Sequence, residues 1–179
     1  FDVRILTANN NWELLVRQSL EFKPQCVIIS NKEHYDKVFE ALDPYEISVF
    51  AGNESITDAM SHSDEIDLVL TAMVGFSGLE PTVAAIKSGK AVAIANKEPV
   101  VAAGGLIMKI AAEHLVPILP VDSEHSAIFQ ALQGEHSPIE NIILTASGGP
   151  FFKATPEQME NITVAMAINH PRWKMGAKI

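Results

Sequence analysis

The stretch 67-DLVLTAMVGFSGLEPTVAAIKSGKAVAIA-95 contains the pattern that decides the fold class of this 179-residue chain. Its two ends, 67-DLVLTA-72 and 90-KAVAIA-95, are short apolar runs that are typical of buried strands. Between them, Val83, Ile86 and Lys87 fall at helical spacing. A strand, a helix and a second apolar strand in this order predict two parallel strands that a helix covers.

The same alternation extends over the first 120 residues. Helical spacing from Trp12 to Ser19 predicts one helix, and 99-PVVAAGGLIMKIAAEHL-115 is long enough for about four helical turns. Further strands are predicted at 3-VRILTA-8, 25-QCVIIS-30, 47-ISVF-50 and 116-VPIL-119. Because crossovers between parallel strands are right-handed, the pattern predicts an α/β fold with a doubly wound, Rossmann-like parallel sheet.

The start of the sequence lacks the motifs that open a complete dinucleotide-binding sheet. Such a sheet opens with a strand, a Gly-rich turn and a helix that receives the pyrophosphate. No G-x-G-x-x-G occurs in the chain, which opens instead on 3-VRILTANNN-11, predicted as the second strand and its turn. We therefore expect the first strand and the Gly-rich turn to be missing. The alternative is an open α/β fold that never bound a nucleotide.

Composition excludes several classes of partner. The net charge is −9, and the Lys and Arg residues form no stripe, which argues against a nucleic acid. No apolar run reaches the roughly 18 residues that a membrane span needs, and the N-terminus lacks the pattern of a signal peptide. Cys26 is the single cysteine and lies in the apolar run 26-CVIIS-30. We expect Cys26 to be a buried, reduced thiol in a cytoplasmic protein.

The residue composition of the sequence changes near residue 120. Polar and Gly/Pro-rich motifs follow: 121-VDSEHSAIFQAL-132, 145-TASGGPFFKATPEQ-158 and 169-NHPRWKMGAKI-179. Thr155 and Gln158 have the spacing of a capping box, with Pro156 at the first helical position. We place a boundary between a nucleotide-binding domain, 1–120, and the start of a second α/β catalytic domain, 121–179.

Asp122 and Glu124 are the first candidates for chemistry. They lie two residues apart at the end of an apolar strand. In extended chain, residues i and i+2 point to the same face, so both carboxylates can reach one cation. Mg²⁺ and Mn²⁺ prefer such hard oxygen ligands. The alternative is a solvated loop in which one carboxylate caps the following helix.

Lys97 is expected at the carboxyl end of a parallel strand, where open α/β sheets bind ligands. There it can orient a substrate oxygen or phosphate, and Asn96 can hydrogen-bond a ring amide. A plain surface lysine is the alternative.

Two glycine- or proline-containing segments complete the candidates. Ser147 and Gly148-Gly149 follow the strand-like run 141-NIILTA-146 and can form a phosphate-binding turn or a simple tight turn. His170 precedes Pro171, and with Trp173 it belongs to a segment that is either a lid over substrate or an ordinary loop.

Taken together, these motifs resemble the 1-deoxy-D-xylulose 5-phosphate reductoisomerase family. VDSEH, SGGPF and HPxWxMG occur in the family's order and spacing, and their combination is specific. The matching stretches are 74-VGFSGLEPTVAAIKSGK-90, 94-IANKE-98, 118-ILPVDSEHSAIFQAL-132, 144-LTASGGPF-151 and 170-HPRWKMGAKI-179.

The resemblance implies an NADPH-dependent oxidoreductase that requires Mg²⁺ or Mn²⁺. It implies that 1-deoxy-D-xylulose 5-phosphate, a small-molecule sugar phosphate, is rearranged by retro-aldol and aldol steps. Reduction then gives 2-C-methyl-D-erythritol 4-phosphate in non-mevalonate isoprenoid biosynthesis. It also implies a homodimer in the full-length parent.

The resemblance further implies a role for each matching residue. Asp122 and Glu124 match metal ligands, and the catalytic set is Lys97, Asp122, Glu124 and His170. Predicted substrate contacts are Lys97, Ser123, Glu124, Ser147, His170 and Trp173. Predicted cofactor contacts are Asn9, Asn10, Asn11, Asn96, Glu98 and Gly176.

Two rival functions stay open at the level of sequence. One is another nicotinamide-linked dehydrogenase with two domains, of the homoserine dehydrogenase type, which needs no metal at 122–124. The other is a non-catalytic module that senses a sugar phosphate. Fosmidomycin, a hydroxamate phosphonate, separates them, because it needs both a metal site and a phosphate site.

Overall fold

The fold was examined in a computed structural model, which describes residues 1–145 and 148–169. Its helices and strands alternate along the first 131 residues. The strands are β1 (Ile5–Ala8), β2 (Cys26–Ile29), β3 (Ser48–Ala51), β4 (Leu68–Thr71), β5 (Ala91–Ile94) and β6 (Ile118–Pro120). The α-helices are α1 (Trp12–Phe22), α2 (Tyr35–Leu42), α3 (Asn53–His62), α4 (Leu79–Lys87), α5 (Glu98–Glu113), α6 (Ser123–Ala131), α7 (Pro156–Met159) and α8 (Val164–Ile168).

The strands form two parallel sheets of three, in the orders β1-β2-β3 and β4-β5-β6. In the first sheet Thr7 pairs with Ile28, and in the second Leu70 pairs with Ala93. Every strand pair is parallel. This arrangement confirms the predicted α/β class with Rossmann-like parallel pairing, and it divides the strands between two sheets.

The central strand of each sheet carries the most continuous apolar run. In β2, Val27 and Ile29 are fully buried, and in β5 Val92 is fully buried. Such runs are expected where helices cover a parallel sheet on both faces. The edge strand β4 differs, because Leu70 leaves 61% of its surface exposed.

Each sheet has its own hydrophobic core. In the first core, Leu15 of α1 and Val38 and Leu42 of α2 pack with the apolar residues of β2 and β3. In the second, Ile86 of α4 and Ile107 of α5 pack with those of β5. Buried side chains lie four residues apart in α1 (Leu15 and Ser19) and in α2 (Val38 and Leu42), as expected where one helix face packs on a core.

The helix ends follow local chemistry. The side chain of Asn11 accepts a hydrogen bond from the Leu14 N–H at 3.2 Å and caps α1. Thr155 and Gln158 form the predicted capping box at the start of α7, with Pro156 in the first turn. Helix α5 has a kink at Ala103 (φ −140°, ψ 25°), directly before the pair Gly104-Gly105.

The chain divides into two compact units, Phe1–Glu135 and His136–Ile179. The first contains both sheets and α1 to α6, so it extends past residue 120. The domain boundary at 120 stays a prediction.

Within its described part, the second unit does not have a strand where the sequence is strand-like, at 141–146. The described residues of this run, 141–145, adopt no regular structure, and Ile143 is 84% exposed. Among the described residues, no helix is long and apolar enough to cross a membrane.

Candidate active site

The candidate site lies where β5 and β6 end. The carbonyl of Ile94, the last residue of β5, accepts hydrogen bonds from the N–H groups of Val121 (2.8 Å) and Asp122 (3.3 Å). These bonds tie the chain that leaves β6 to the end of β5. Lys97 follows β5 by three residues and is the N-cap of α5. The sheet therefore brings together two segments that are 25 residues apart in sequence, from Lys97 to Asp122.

Lys97 contacts both predicted metal ligands. Its Nζ lies 3.0 Å from Oδ2 of Asp122 and 3.8 Å from Oε2 of Glu124. The side chains of Lys97 and Glu124 are about half exposed, at 51% and 41%, whereas that of Asp122 is only 14% exposed. One cationic group thus sits between the two carboxylates, which is the arrangement expected of a cation-binding pair.

The environment of Asp122 keeps it ionised. Burial by itself would raise the pKa of this carboxyl group. Hydrogen bonds from His125 and Lys97, together with the charge of Lys97, outweigh burial and lower the pKa of Asp122 from 3.8 to about 2. In turn, the hydrogen bond and charge of Asp122 raise the pKa of Lys97. At neutral pH the pair is therefore an ammonium and a carboxylate.

His125 is a member of the site that the sequence did not single out. Its Nδ1 lies 2.6 Å from Oδ1 of Asp122, so the two oxygens of Asp122 have different partners. The sequence places His125 three residues after the N-cap of α6, and residues at this spacing lie on one face of a helix. That spacing is the signal by which the contact could have been found.

The predicted convergence of Asp122 and Glu124 is present, but the geometric reason given for it is wrong. The two residues are not in extended chain: Asp122 is the N-cap of α6, and Glu124 lies in the first helical turn. The Asp122 side chain makes no capping hydrogen bond, because its oxygens are directed to Lys97 and His125. Ser123, a predicted substrate contact, is the exposed first residue of the same helix.

Asn96 presents a buried acceptor beside this cluster. It is 8% exposed, and its Nδ2 donates to the carbonyl of Gly75 at 3.2 Å. Its Oδ1 is buried and has no hydrogen-bond partner among the described residues. Gly75 has a left-handed φ of 68°, which favours glycine, and it begins the short 3₁₀ turn Gly75–Gly78. The second predicted cofactor residue here, Glu98, opens α5.

The three asparagines predicted to contact the cofactor lie at the carboxyl end of β1. Asn9 accepts from the N–H of Asn31 at 3.1 Å, and Oδ1 of Asn10 accepts from Nδ2 of Asn31 at 3.0 Å. Asn11 is the cap of α1. The turn is exposed, and its hydrogen bonds join the ends of β1 and β2. It belongs to the first sheet, whereas Lys97 and Asp122 follow strands of the second.

Several predicted residues lie outside the described part of the chain: Ser147, His170, Trp173 and Gly176. Gly148 and Gly149 are described, and both have left-handed φ angles, 85° and 67°. A Cβ on Gly148 would come within 2.7 Å of the Phe152 side chain, so this position requires glycine. An open cleft of about 880 Å³ follows in the same unit and is lined in part by Phe151, Lys153 and Asn161.

The carboxylate oxygens of Asp122 and Glu124 are ligands that fit a hard divalent cation. The Lys97 ammonium already stands between two carboxylates as a cation would. Within residues 1–145 and 148–169, no cluster of three or more His, Cys, Asp or Glu side chains has the geometry of a complete metal site. The site as described therefore brings two carboxylates together at Lys97.

Comparison with known proteins decides the family. The sequence model of 1-deoxy-D-xylulose 5-phosphate reductoisomerase matches residues 1–104, and the model of that enzyme's C-terminal domain matches residues 118–179. The chain belongs to the 1-deoxy-D-xylulose 5-phosphate reductoisomerase family. The resemblance seen in the motifs is thereby confirmed.

Curated members of the reductoisomerase family align with the entire chain. The reductoisomerase of Porphyromonas gingivalis is 55% identical over 179 residues, and that of Bacteroides fragilis is 52% identical over 180 residues. Each alignment covers 100% of this chain and 46% of the relative. The chain thus spans about half the length of the curated relatives it matches.

Solved structures of reductoisomerases share the fold. One, in complex with NADPH, fosmidomycin and magnesium, has a TM-score of 0.86 and 35% identity over 98% of this chain and 46% of its own. The Zymomonas mobilis enzyme in complex with NADPH has a TM-score of 0.87 and 37% identity over 96% of this chain and 45% of its own. The fold therefore agrees with that of proteins crystallised with this cofactor and metal.

Proposed function

We propose that this chain supplies the NADPH-binding and metal-binding part of a 1-deoxy-D-xylulose 5-phosphate reductoisomerase. The reaction is the NADPH-dependent isomerisation and reduction of 1-deoxy-D-xylulose 5-phosphate to 2-C-methyl-D-erythritol 4-phosphate in non-mevalonate isoprenoid biosynthesis. The observation that carries the proposal is the convergence of Lys97, Asp122 and Glu124 at the ends of β5 and β6. Ligands of open parallel sheets bind at this edge.

In this proposal, Asp122 and Glu124 hold Mg²⁺ or Mn²⁺. When bound, the metal supplies Lewis-acid stabilisation of the negative charge that develops on substrate oxygens. Asp122 is suited to the task because its low pKa keeps it anionic and His125 fixes one of its oxygens. Glu124 is more exposed and lies in the first turn of α6, where it completes the pair.

The substrate lies against the same edge of the sheet. Lys97 orients a substrate oxygen through its ammonium, and the exposed hydroxyl of Ser123 lies between the two metal ligands in sequence. Ser147, His170 and Trp173 are proposed to contact the phosphate end of the sugar, on the strength of the family motifs alone. The consecutive left-handed glycines after Ser147 support a phosphate-binding turn, because they allow backbone N–H groups a close approach.

For NADPH, the proposed contacts are Asn9, Asn10, Asn11, Asn96, Glu98 and Gly176. The cofactor supplies the hydride for the reduction. The Oδ1 of Asn96, which has no hydrogen-bond partner in the described part of the chain, is a buried acceptor that suits an amide N–H of the nicotinamide. The Asn9–Asn11 turn lies at the carboxyl end of β1, where a dinucleotide-binding sheet meets the adenosine ribose.

The test uses a full-length enzyme that contains this chain. We expect NADPH oxidation that depends on both 1-deoxy-D-xylulose 5-phosphate and Mn²⁺, and inhibition by fosmidomycin that also requires Mn²⁺. A dehydrogenase of the homoserine type would oxidise NADPH without the metal, and a non-catalytic sensor would bind the sugar phosphate without oxidising NADPH. Either of these results would overturn the proposal.

Two finer features belong to the same proposal. We place the enzyme in the cytoplasm, which agrees with a single partly buried cysteine whose thiol pKa is raised by burial. We also propose that the full-length enzyme is a homodimer, as the family resemblance implies. Light scattering of the purified full-length enzyme tests the dimer, and a monomer would contradict it.

A further inference from the structure

The two oxygens of Asp122 are divided between a fixed partner and a movable one. Oδ1 is 2.6 Å from Nδ1 of His125, in the same helix, whereas Oδ2 is 3.0 Å from Nζ of Lys97, in a different segment. The Asp122 side chain is 14% exposed, so it has little freedom, while that of Lys97 is 51% exposed. Of the two members of this ion pair, Lys97 is therefore the one that can move.

Lys97 also covers the second carboxylate, with its Nζ 3.8 Å from Glu124. A Mg²⁺ ion bound by these carboxylates would sit about 2.0–2.1 Å from their oxygens. An ammonium and a dication cannot both stay within contact distance of the same two oxygens without strong repulsion. Lys97 and a divalent cation therefore compete for the same pair of carboxylates.

We propose that Lys97 is a built-in competitor for the divalent metal at Asp122 and Glu124, and that metal binding releases its ammonium toward the substrate. The inference rests on the proposed function, because it takes these carboxylates to be the metal site. His125 keeps Asp122 in place during the exchange. The consequence is an order of events in which the metal binds first and Lys97 becomes available to a substrate oxygen afterwards.

The mutual charge effects support this exchange. The Nζ of Lys97 lies within ion-pair distance of both carboxylates, 3.0 Å from Asp122 and 3.8 Å from Glu124. Each group therefore stabilises the charged form of the other, and a metal must replace that stabilisation. Because coupling between two ligands of one site is reciprocal, removal of Lys97 strengthens metal binding by the factor by which Lys97 had weakened it.

The test measures Mn²⁺ affinity of a full-length enzyme that contains this chain by electron paramagnetic resonance, from the signal of the free ion. Lys97→Met is expected to tighten Mn²⁺ binding by about fivefold or more, the lower range of such couplings. Lys97→Arg keeps the charge and is expected to keep the weaker affinity. Lys109→Met is the matched control, because it removes the same charge from another ion pair of α5, Lys109 with Glu113 at 3.9 Å. Its affinity should equal that of the wild type.

The outcomes distinguish the competition by Lys97 from the assignment of Asp122 and Glu124 as metal ligands, on which it rests. If Asp122→Asn binds Mn²⁺ as the wild type does, or if the wild type binds none, the metal site itself is wrong. If Asp122→Asn weakens binding but Lys97→Met leaves it unchanged or weaker, only the competition is overturned. In a full-length enzyme that contains this chain, Lys97→Met should bind metal more tightly and still turn over more slowly. Circular dichroism establishes that each variant is folded.

Discussion

Asp122 is held by partners on two sides, and its charge is the property on which both contacts depend. Asn has nearly the same shape but no charge, so Asp122→Asn removes the attraction for Lys97 and for a divalent metal. In a full-length enzyme we expect kcat to fall by about 10²-fold, as is common when one group that stabilises transition-state charge is removed. Substrate binding should fall less, because the phosphate contacts remain. The measurement is kcat as a function of Mn²⁺ concentration, and excess Mn²⁺ should recover part of the loss.

Cys26→Ala provides the comparison for that substitution. Cys26 lies in β2, away from the proposed ligands, and its partly buried thiol has a raised pKa. The change should act through stability, by about 1 kcal/mol, with kcat unchanged. If Asp122→Asn keeps the wild-type kcat and metal affinity, the assignment of Asp122 as a metal ligand is wrong.

At the scale of residues, the sequence identified the charged members of the site and missed its geometry. Lys97, Asp122 and Glu124 were recognisable because carboxylates and a lysine followed two apolar strands that a parallel sheet brings side by side. The start of α6 at Ser123 was not recognised, so the spacing was interpreted as extended chain. His125 was missed for the same reason, since its contact with Asp122 exists only in a helical turn.

Among the elements, α1 depends on a residue that was predicted to bind the cofactor. Asn11 caps the helix by accepting from the N–H of Leu14. We expect Asn11→Ala to lower the free energy of unfolding by about 1 kcal/mol and Asn11→Ser to preserve it, since serine is an equally good N-cap. Urea unfolding monitored by circular dichroism measures both. Equal stability of the alanine and serine variants would show that the cap contributes nothing.

Helix α5 offers a test of the second core. Ile107 is fully buried against β5 and α4, whereas its neighbour Met108 is 55% exposed. Ile107→Ala should cost about 2–5 kcal/mol, because it removes buried methyl groups and leaves a cavity. Met108→Ala, the matched control, should change stability by less than about 0.5 kcal/mol. Urea midpoints of the two variants settle the matter, and similar losses would contradict the packing described.

Strands were predictable where burial accompanied the apolar pattern. All six runs predicted within the first 120 residues overlap an observed strand, because helices cover both central strands. The run 141–146 has the same composition, yet its described residues form no strand and Ile142, Ile143 and Leu144 are exposed. Strand propensity reflects packing and pairing with neighbours, and within the described residues no strand pairs with this run.

For the molecule as a whole, it was easier to predict that the strands are parallel than to predict which strands pair with one another. Each helix between two strands returns the chain to the same end of a sheet, so the direction follows from local alternation. The division into sheets of β1-β2-β3 and β4-β5-β6 depends on which strands meet across the fold. No local pattern encodes that choice. The cofactor turn and the carboxylate pair consequently follow strands of different sheets.

The 179-residue chain by itself should not convert 1-deoxy-D-xylulose 5-phosphate at the rate of a full-length relative. It aligns with 46% of the Porphyromonas gingivalis enzyme, and its described residues provide two carboxylates at the site and no cluster of three. Loss of a single charge-stabilising group commonly lowers turnover by about 10²-fold or more. We therefore expect NADPH oxidation by the chain to be slower by at least that factor, with the Porphyromonas gingivalis enzyme assayed in parallel. Substrate-dependent oxidation at the relative's rate would show that Lys97, Asp122 and Glu124 suffice for the reaction and that the essential groups have been misassigned.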